Sequence, residues 1–410
     1  MHYEKLENGT VCSAQGFEAA GIIAGLKESG KEDMAVIYSA TACQFAGSYT
    51  QNAFAAAPVV YCKQVHKNSK TIHACIINSG NANACTGRQG WTNASHMAAD
   101  TADLLNIDPS EVLVFSTGRI GVPLPMEIVK AGIKKCCEAR NATGGAKAAE
   151  AIMTTDTVAK SIAVKIDIDG TDVIIGGMSK GAGMIAPKMK TAEKEATMLA
   201  YITTDVLLEE GLLSEILDQS LNQSFNRITI DGDTSTNDSF ICMANGLAGN
   251  SMIRRGSAEA AKFQEAFNYV AAELARMLIL DAEGATRFVE VKVVGAENDG
   301  DAETCAKAIA NSLLCKTAWF GADPNWGRIL DAAGYSGVNI NTGEFNLYYS
   351  GVQVVKSGQD AGLSEDEMYK LINRDEIFLE VDLGLVDGEY TAWTCDLSYE
   401  YVKINAEYRT

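Results

Sequence analysis

Short apolar runs that stop abruptly in small polar residues constrain this chain more than any other feature. Ala74-Cys75-Ile76-Ile77 runs into Asn78-Ser79-Gly80, and Val112-Leu113-Val114-Phe115 runs into Ser116-Thr117-Gly118. Such runs suit strands buried on both faces, and the polar residues that end them are delivered to a sheet edge. Helical spacing is read over residues 92–105 and 126–138, the latter after the start signals Pro123 and Pro125. Residues 159–178 read as a hairpin, with Ile168-Asp169-Gly170-Thr171 turning between two β-branched runs. In the second half, residues 206–221 and 258–278 are long amphipathic helix candidates, and residues 288–294 and 345–350 are strands. Strands and helices mix without a strict β-α-β rhythm. The expected fold class is therefore α/β of the α+β kind, a layered α/β/α sandwich rather than a doubly wound sheet.

The 410 residues suffice for two or three domain-sized units. Low-complexity tracts, Pro-rich linkers and internal repeats are absent from the sequence, and the one stretch that reads as an internal boundary is the charged segment 188–195. A formal net charge of −19 opposes phosphate backbones and anionic lipid, so neither nucleic acid nor a membrane is an expected partner. Met1 to Gly9 lacks a basic stretch followed by an apolar one, and the sequence holds no run of 18 apolar residues; a cytoplasmic location is expected. The 11 cysteines form no C-x-x-C pair and read as small buried hydrophobes, with no metal site expected. The four histidines, His2, His66, His73 and His96, all fall in the first hundred residues and outside any metal-binding spacing. A nucleophile that works without histidine fits this distribution better.

Hydroxyls and glycines supply such chemistry at several places. Thr197 in Ala196-Thr197-Met198-Leu199 follows the glycine-rich segment Lys180-Gly181-Ala182-Gly183-Met184-Ile185-Ala186-Pro187. A threonine hydroxyl is a weak nucleophile until a base takes its proton, and cutting the chain before it turns its own α-amine into that base. Thr117 and Gly118, at the end of a strand and before Gly121-Val122-Pro123-Leu124-Pro125, can turn a hydroxyl and backbone N–H groups toward a ligand as an oxyanion hole requires. Spacing alone equally allows an ordinary strand-to-helix turn. Ala151-Ile152-Met153-Thr154-Thr155-Asp156-Thr157 reads as a helix end running into a capped turn. Glu283, in Glu283-Gly284-Ala285-Thr286, is either a partner for an ammonium group or a plain helix-end charge.

Taken together these segments resemble the ArgJ family, the glutamate N-acetyltransferases (ornithine acetyltransferases) of arginine biosynthesis. KGAGMIAP, ATMLAYITTD, STG followed by IG-x-PLPM, EGAT and the ending YVKINA-x-Y-x-T all take part, and the resemblance runs from the first fifty residues to Thr410. Segments 78–84, 231–239 and 323–328 also match, each dense in amides, carboxylates and glycines suited to turns and hydrogen-bond networks.

The resemblance implies acetyl transfer from N2-acetyl-L-ornithine to L-glutamate, with Thr197 as nucleophile and Thr117 and Gly118 holding the oxyanion. It implies substrate contacts from Thr154, chosen over Thr155, and from Lys180, Thr197, Glu283, Asn405 and Thr410. It further implies self-cleavage between Ala196 and Thr197. The products would be an α chain, 1–196, and a β chain, 197–410, assembled as a heterotetramer of two cleaved pairs. The implied fold is a layered sandwich of ArgJ or aminopeptidase type with a smaller C-terminal α/β portion. No cofactor is implied, acetyl-CoA being open as an alternative acetyl donor. Two departures stand out. Arg119 replaces the aliphatic residue usual after the glycine, and six extra residues precede the nucleophile, so that Thr191 lies 11 residues after Lys180 and Thr197 lies 17 after it. The longer match downstream favours Thr197. An amidohydrolase or aminopeptidase using the same threonine chemistry, and an uncleaved binding-only homologue, are the alternatives.

Overall fold

The structure, a computed structural model, describes residues 3–187, 190–191 and 198–407. These divide into two compact units: Met1–Asn226 with Thr234–Leu278, and Arg227–Asp233 with Ile279–Arg409. The division in packing falls away from residues 188–195, where the charge pattern suggested a boundary.

The first unit is built on a 10-stranded sheet. Its strands are β1 (Tyr3–Lys5), β2 (Phe17–Ile22), β3 (Met34–Tyr49), β4 (Thr71–Asn81), β5 (Val112–Arg119), β6 (Lys160–Ile168), β7 (Thr171–Lys180), β8 (Lys190–Thr191), β9 (Leu199–Thr204) and β10 (Ser239–Ala244). The main path runs β1-β6-β7-β9-β10-β3-β4-β5, with β2 and β8 also paired to β3. The hairpin forms as expected, Ile168 pairing with Thr171 around a left-handed Asp169-Gly170 turn.

Both faces of this sheet are covered. Helices α1 (Ala57–Asn68), α2 (Gly87–Leu105), α3 (Met126–Ala139) and α4 (Gly145–Ala151) share one apolar core with Ile241 and Met243 of β10. In α3 the buried residues Val129, Ile133, Cys136 and Cys137 recur at helical spacing. The neighbouring Phe240 faces the other way, against Phe225 and against Phe267 of the long helix α6 (Ala258–Leu280). Gln264 of α6 reaches the Ile216 carbonyl of α5 (Leu212–Asn222), which places α5 on that same side. Because strand side chains alternate in direction, helices on both sides force the strands to be apolar throughout, which is why the periodic signal in β4 and β5 is a continuous run. Helix α5 starts later than the 206–221 pattern suggests. Gly211 takes a left-handed conformation at its N-cap, and the preceding segment bridges Leu208 to Ile253 instead.

The second unit holds a 6-stranded sheet ordered β14-β13-β12-β15-β11-β16. Its strands are β11 (Phe288–Ala296), β12 (Asn346–Tyr349), β13 (Val352–Lys356), β14 (Gln359–Asp360), β15 (Glu376–Asp382) and β16 (Gly388–Cys395). Helices α7 (Asp299–Asn311), α8 (Leu313–Gly321), α9 (Trp326–Gly334) and α10 (Glu365–Ile372) pack on Val289, Val291 and Val293 of β11. The alternate residues are polar: Glu290 accepts from Trp393 Nε1 at 3.0 Å and Lys292 faces Glu380 at 3.5 Å. The described residues end with the helix α11 (Tyr399–Glu407).

Two sheets with flanking helices bear out the mixed α/β expectation. Among the described residues, no helix is long and apolar enough to cross a membrane. All 11 cysteines are free and nine of them are buried, as small apolar side chains are.

Candidate active site

The edge strand β5 carries its polar end beside that of β4, in parallel register, with Ser79 opposite Thr117 and Gly80 opposite Gly118. At Gly118 the backbone has a φ of +128°, and an added Cβ would sit 2.5 Å from the Gly80 carbonyl carbon. No side chain fits there, so the two strand ends approach with bare backbone. Amides fix this end. Ser116 Oγ donates to Asn78 Oδ1 at 2.6 Å, and Asn237 Nδ2 donates to the carbonyls of Ala82 and Ser116 at 2.6 and 2.8 Å. Asn78 Nδ2 closes the turn on the Asn81 carbonyl at 2.8 Å. Segments 78–84 and 231–239, read from the sequence as hydrogen-bond networks, therefore supply the scaffold of Thr117 and Gly118.

Lys180 arrives from the end of β7. It is buried, and its Nζ donates to Thr117 Oγ1 at 3.3 Å. The chain then turns at Gly181, whose N–H donates to Asp156 Oδ1 at 2.6 Å. Asp156 also accepts from Lys160 Nζ at 2.7 Å and from the Thr154 N–H at 2.9 Å. Its side chain is 0% exposed and that of Lys160 1%. Burial alone would raise the Asp156 pKa; the charges of Lys180 and Lys160, the Lys160 hydrogen bond and the Thr154 N–H outweigh it and hold the carboxyl well below the usual range. Thr154 and Thr155 are both half-buried in the turn that follows α4, the helix end and turn the sequence suggested.

A third lysine lies close by. The buried Asp33 carboxylate accepts the N–H groups of Ala24, Gly25, Leu26 and Lys27 at 2.5 to 3.0 Å, folding this loop over Gly80, where Lys27 Cγ would meet an added Cβ at 3.2 Å. Burial pushes the Lys27 ammonium down to about 8; Asp33 and Asp156 oppose the shift, and Lys180 and Lys31 add to it. Asp33, Lys27, Asp156 and Lys160 were not singled out from sequence. A charged residue within an otherwise apolar or glycine-rich stretch is the signal that could have found them.

In the second unit, Glu283 follows α6 in a tight turn and is buried. Asn405 Nδ2 of α11 donates to Glu283 Oε2 at 2.7 Å. The turn is tied to the start of α11 through Ser398 Oγ, which donates to the Gly284 carbonyl at 2.6 Å, and through Asp396, which accepts the N–H of Thr286 at 2.8 Å. An added Cβ at Gly284 would lie 2.6 Å from the Tyr401 nitrogen, so the close approach needs glycine. Tyr401 donates its hydroxyl to Asp231 at 3.2 Å; burial first, then the charges of Asp231, Glu283 and Asp233, push its pKa up. Glu283 thus belongs to a group of carboxylates, a setting that suits a cationic ligand.

The structure brings together Thr117, Gly118, Lys180 and the Thr154 turn in the first unit, and Glu283 and Asn405 in the second. Ala196, Thr197 and Thr410 lie outside the described residues. Thr191 belongs to β8, which pairs with β3.

Comparison with known proteins shows the family. The model of the ArgJ family matches residues 18–410. The arginine biosynthesis bifunctional protein ArgJ of Symbiobacterium thermophilum is 45% identical over 404 residues, covering 98% of this chain and 99% of that protein. That of Caldanaerobacter subterraneus is 44% identical over 407 residues, with 98% and 99% coverage. A crystal structure of the arginine biosynthesis bifunctional protein ArgJ from Bacillus halodurans is 38% identical and matches with a TM-score of 0.44, covering 46% of this chain and 98% of that one. End-to-end matches at this identity leave one conclusion: the chain belongs to the ArgJ family.

Proposed function

We propose that this chain is an acyltransferase of arginine biosynthesis that moves an acetyl group from N2-acetyl-L-ornithine to L-glutamate. The observation that carries the reading is the strand end at Thr117-Gly118, with a buried lysine ammonium 3.3 Å from the Thr117 hydroxyl. A hydroxyl with a cation beside it, next to backbone freed by a glycine, is built to hold developing negative charge.

In this reading the chain is first cut between Ala196 and Thr197. Thr197 Oγ attacks the acetyl carbonyl while the freed α-amine takes its proton, and Thr117 and Gly118 hold the oxyanion. The tetrahedral species collapses, the proton passes to the departing α-nitrogen, and ornithine leaves a threonine acetyl ester. The glutamate amine attacks that ester, the proton returns to Thr197, and N-acetylglutamate departs. Thr154, Lys180, Glu283, Asn405 and Thr410 contact the substrates; the carboxylates around Tyr401 suit an ornithine ammonium. The fully assembled form is two α and two β chains in the cytoplasm, with no cofactor, and acetyl-CoA is a second candidate donor.

Incubating the protein with N-acetylornithine, with and without glutamate, tests the transfer. Formation of N-acetylglutamate in step with ornithine, with ping-pong kinetics, is the expected result. Release of free acetate at the same rate without glutamate would replace it with the amidohydrolase reading. A denaturing gel tests the cut: two fragments are expected, and one full-length band on an active preparation would sink self-cleavage at Thr197.

A further inference from the structure

Among the described residues Asp156 accepts three hydrogen bonds, and each comes from a different part of the site's frame. The Thr154 N–H belongs to the turn proposed to touch substrate. The Gly181 N–H belongs to the bend directly after Lys180. Lys160 Nζ belongs to the first residue of β6, the strand paired with β7 along its whole length. All three donors meet one carboxylate whose side chain is fully buried. The charges of Lys160, Lys180 and Lys27 act on it, and Asp33 acts with it on Lys27.

From this convergence we infer that Asp156 is a positioning residue: it clamps the Thr154 turn to the bend after Lys180 and holds the Lys180 ammonium, as a charge, against the Thr117 hydroxyl. It touches no reacting atom and acts through Lys180 and the Thr154 backbone. This inference rests on the function proposed above.

Geometry supports a clamp over a plain structural ion pair. A pair that served folding alone would need Lys160 and Asp156 only, whereas Oδ1 is shared between Lys160 and the Gly181 amide, and Oδ2 accepts from Thr154. An asparagine at 156 cannot replace this, because one of its two heads becomes a donor aimed at another donor. Removing the carboxylate charge also takes away an anion that attracts both Lys160 and Lys180.

The test separates positioning from folding by pairing two substitutions. Asp156→Asn alone is expected to lower the melting temperature by roughly 6–20 °C, the effect of breaking a buried ion pair. Adding Lys160→Met removes the buried cation that faced the carboxylate, and the double variant should recover most of that loss. Its kcat for transfer from N-acetylornithine to glutamate should nonetheless stay roughly 10- to 100-fold below wild type, while Lys160→Met alone keeps kcat within about threefold. Recovery of kcat together with melting temperature in the double variant overturns the inference. Trace labelling with acetic anhydride, read by mass spectrometry, gives a signal that needs no turnover: Lys180 should label severalfold faster in the double variant than in Lys160→Met. Equal labelling also overturns it. Wild-type protein without transfer activity would refute the proposed function instead, and the labelling comparison would still decide the role of Asp156.

Discussion

The two units place their functional groups by different means. In the first, Thr117 and Lys180 stand at the ends of strands in a sheet covered on both faces, and buried amides and carboxylates lock each strand end. In the second, Glu283 sits in a turn and its partner Asn405 on an exposed, two-turn helix near the end of the chain, joined by a handful of hydrogen bonds. Strand ends in a packed sheet resist displacement, while a turn and a short surface helix yield to it. On the proposed function, the contrast predicts geometry-critical work in the first unit and ligand retention in the second.

Four substitutions test that contrast, in falling order of effect. Thr197→Ala should reduce transfer by at least about 10⁴-fold and leave a single band on a denaturing gel, since nucleophile and base vanish together. Thr117→Ala should cost roughly 10²–10³-fold in kcat with KM little changed, measured by steady-state kinetics. Glu283→Gln should act on the other parameter, raising KM for N-acetylornithine by about 10- to 100-fold, as loss of a charged hydrogen-bond partner does. If Glu283→Gln instead lowers kcat as much as Thr117→Ala does, the division of labour is wrong. Asn405→Ala should raise the same KM by only about 5-fold, the worth of one neutral donor.

Lys27 sharpens the first half of the comparison through pH. Its folded pKa of about 8 lies below the ordinary lysine value of 10.5, so folding disfavours its charge. The associated penalty is absent above the unfolded value, grows as pH falls from 10.5 toward 8, and is complete below the folded value. Melting temperatures of Lys27→Met relative to wild type should therefore show the largest gain below pH 8, shrinking between pH 8 and 10.5. A difference that stays constant across that window removes Lys27 from the charged cluster.

Local signals made much of this frame legible. The runs into Asn78 and Ser116, the Asp169-Gly170 hairpin and the helical spacing after Pro125 are set by residues adjacent in the chain, and all three elements formed as read. Failures came where distant partners decide. Helix α5 gives up its first turn because Leu208 pairs with Ile253. Helix α11, for which no local signal was read, is held by Glu283 and Asp231, each more than a hundred residues away. Asp156 escaped notice because its Gly181 donor lies 25 residues away and arrives only when β6 and β7 have paired. Amide-rich motifs could be read as networks, but which carbonyl Asn237 would reach was beyond the sequence, since Ser116 lies 121 residues away.

The sheet order β7-β9-β10-β3 has a consequence for a chain severed at Thr197. Strands β9 and β10 lie after the cut, yet they are threaded between two strands that lie before it, with ladders of six residue pairs to β7 on one side and to β3 on the other. Neither piece can leave without exposing open strand edges, so the native mass stays that of the intact chain. Denaturation, however, turns a one-body problem into a two-body one. Refolding yield of the severed protein should fall with dilution, while that of an uncut Thr197→Ala variant should not, giving the processed form a memory of having folded once as a single chain.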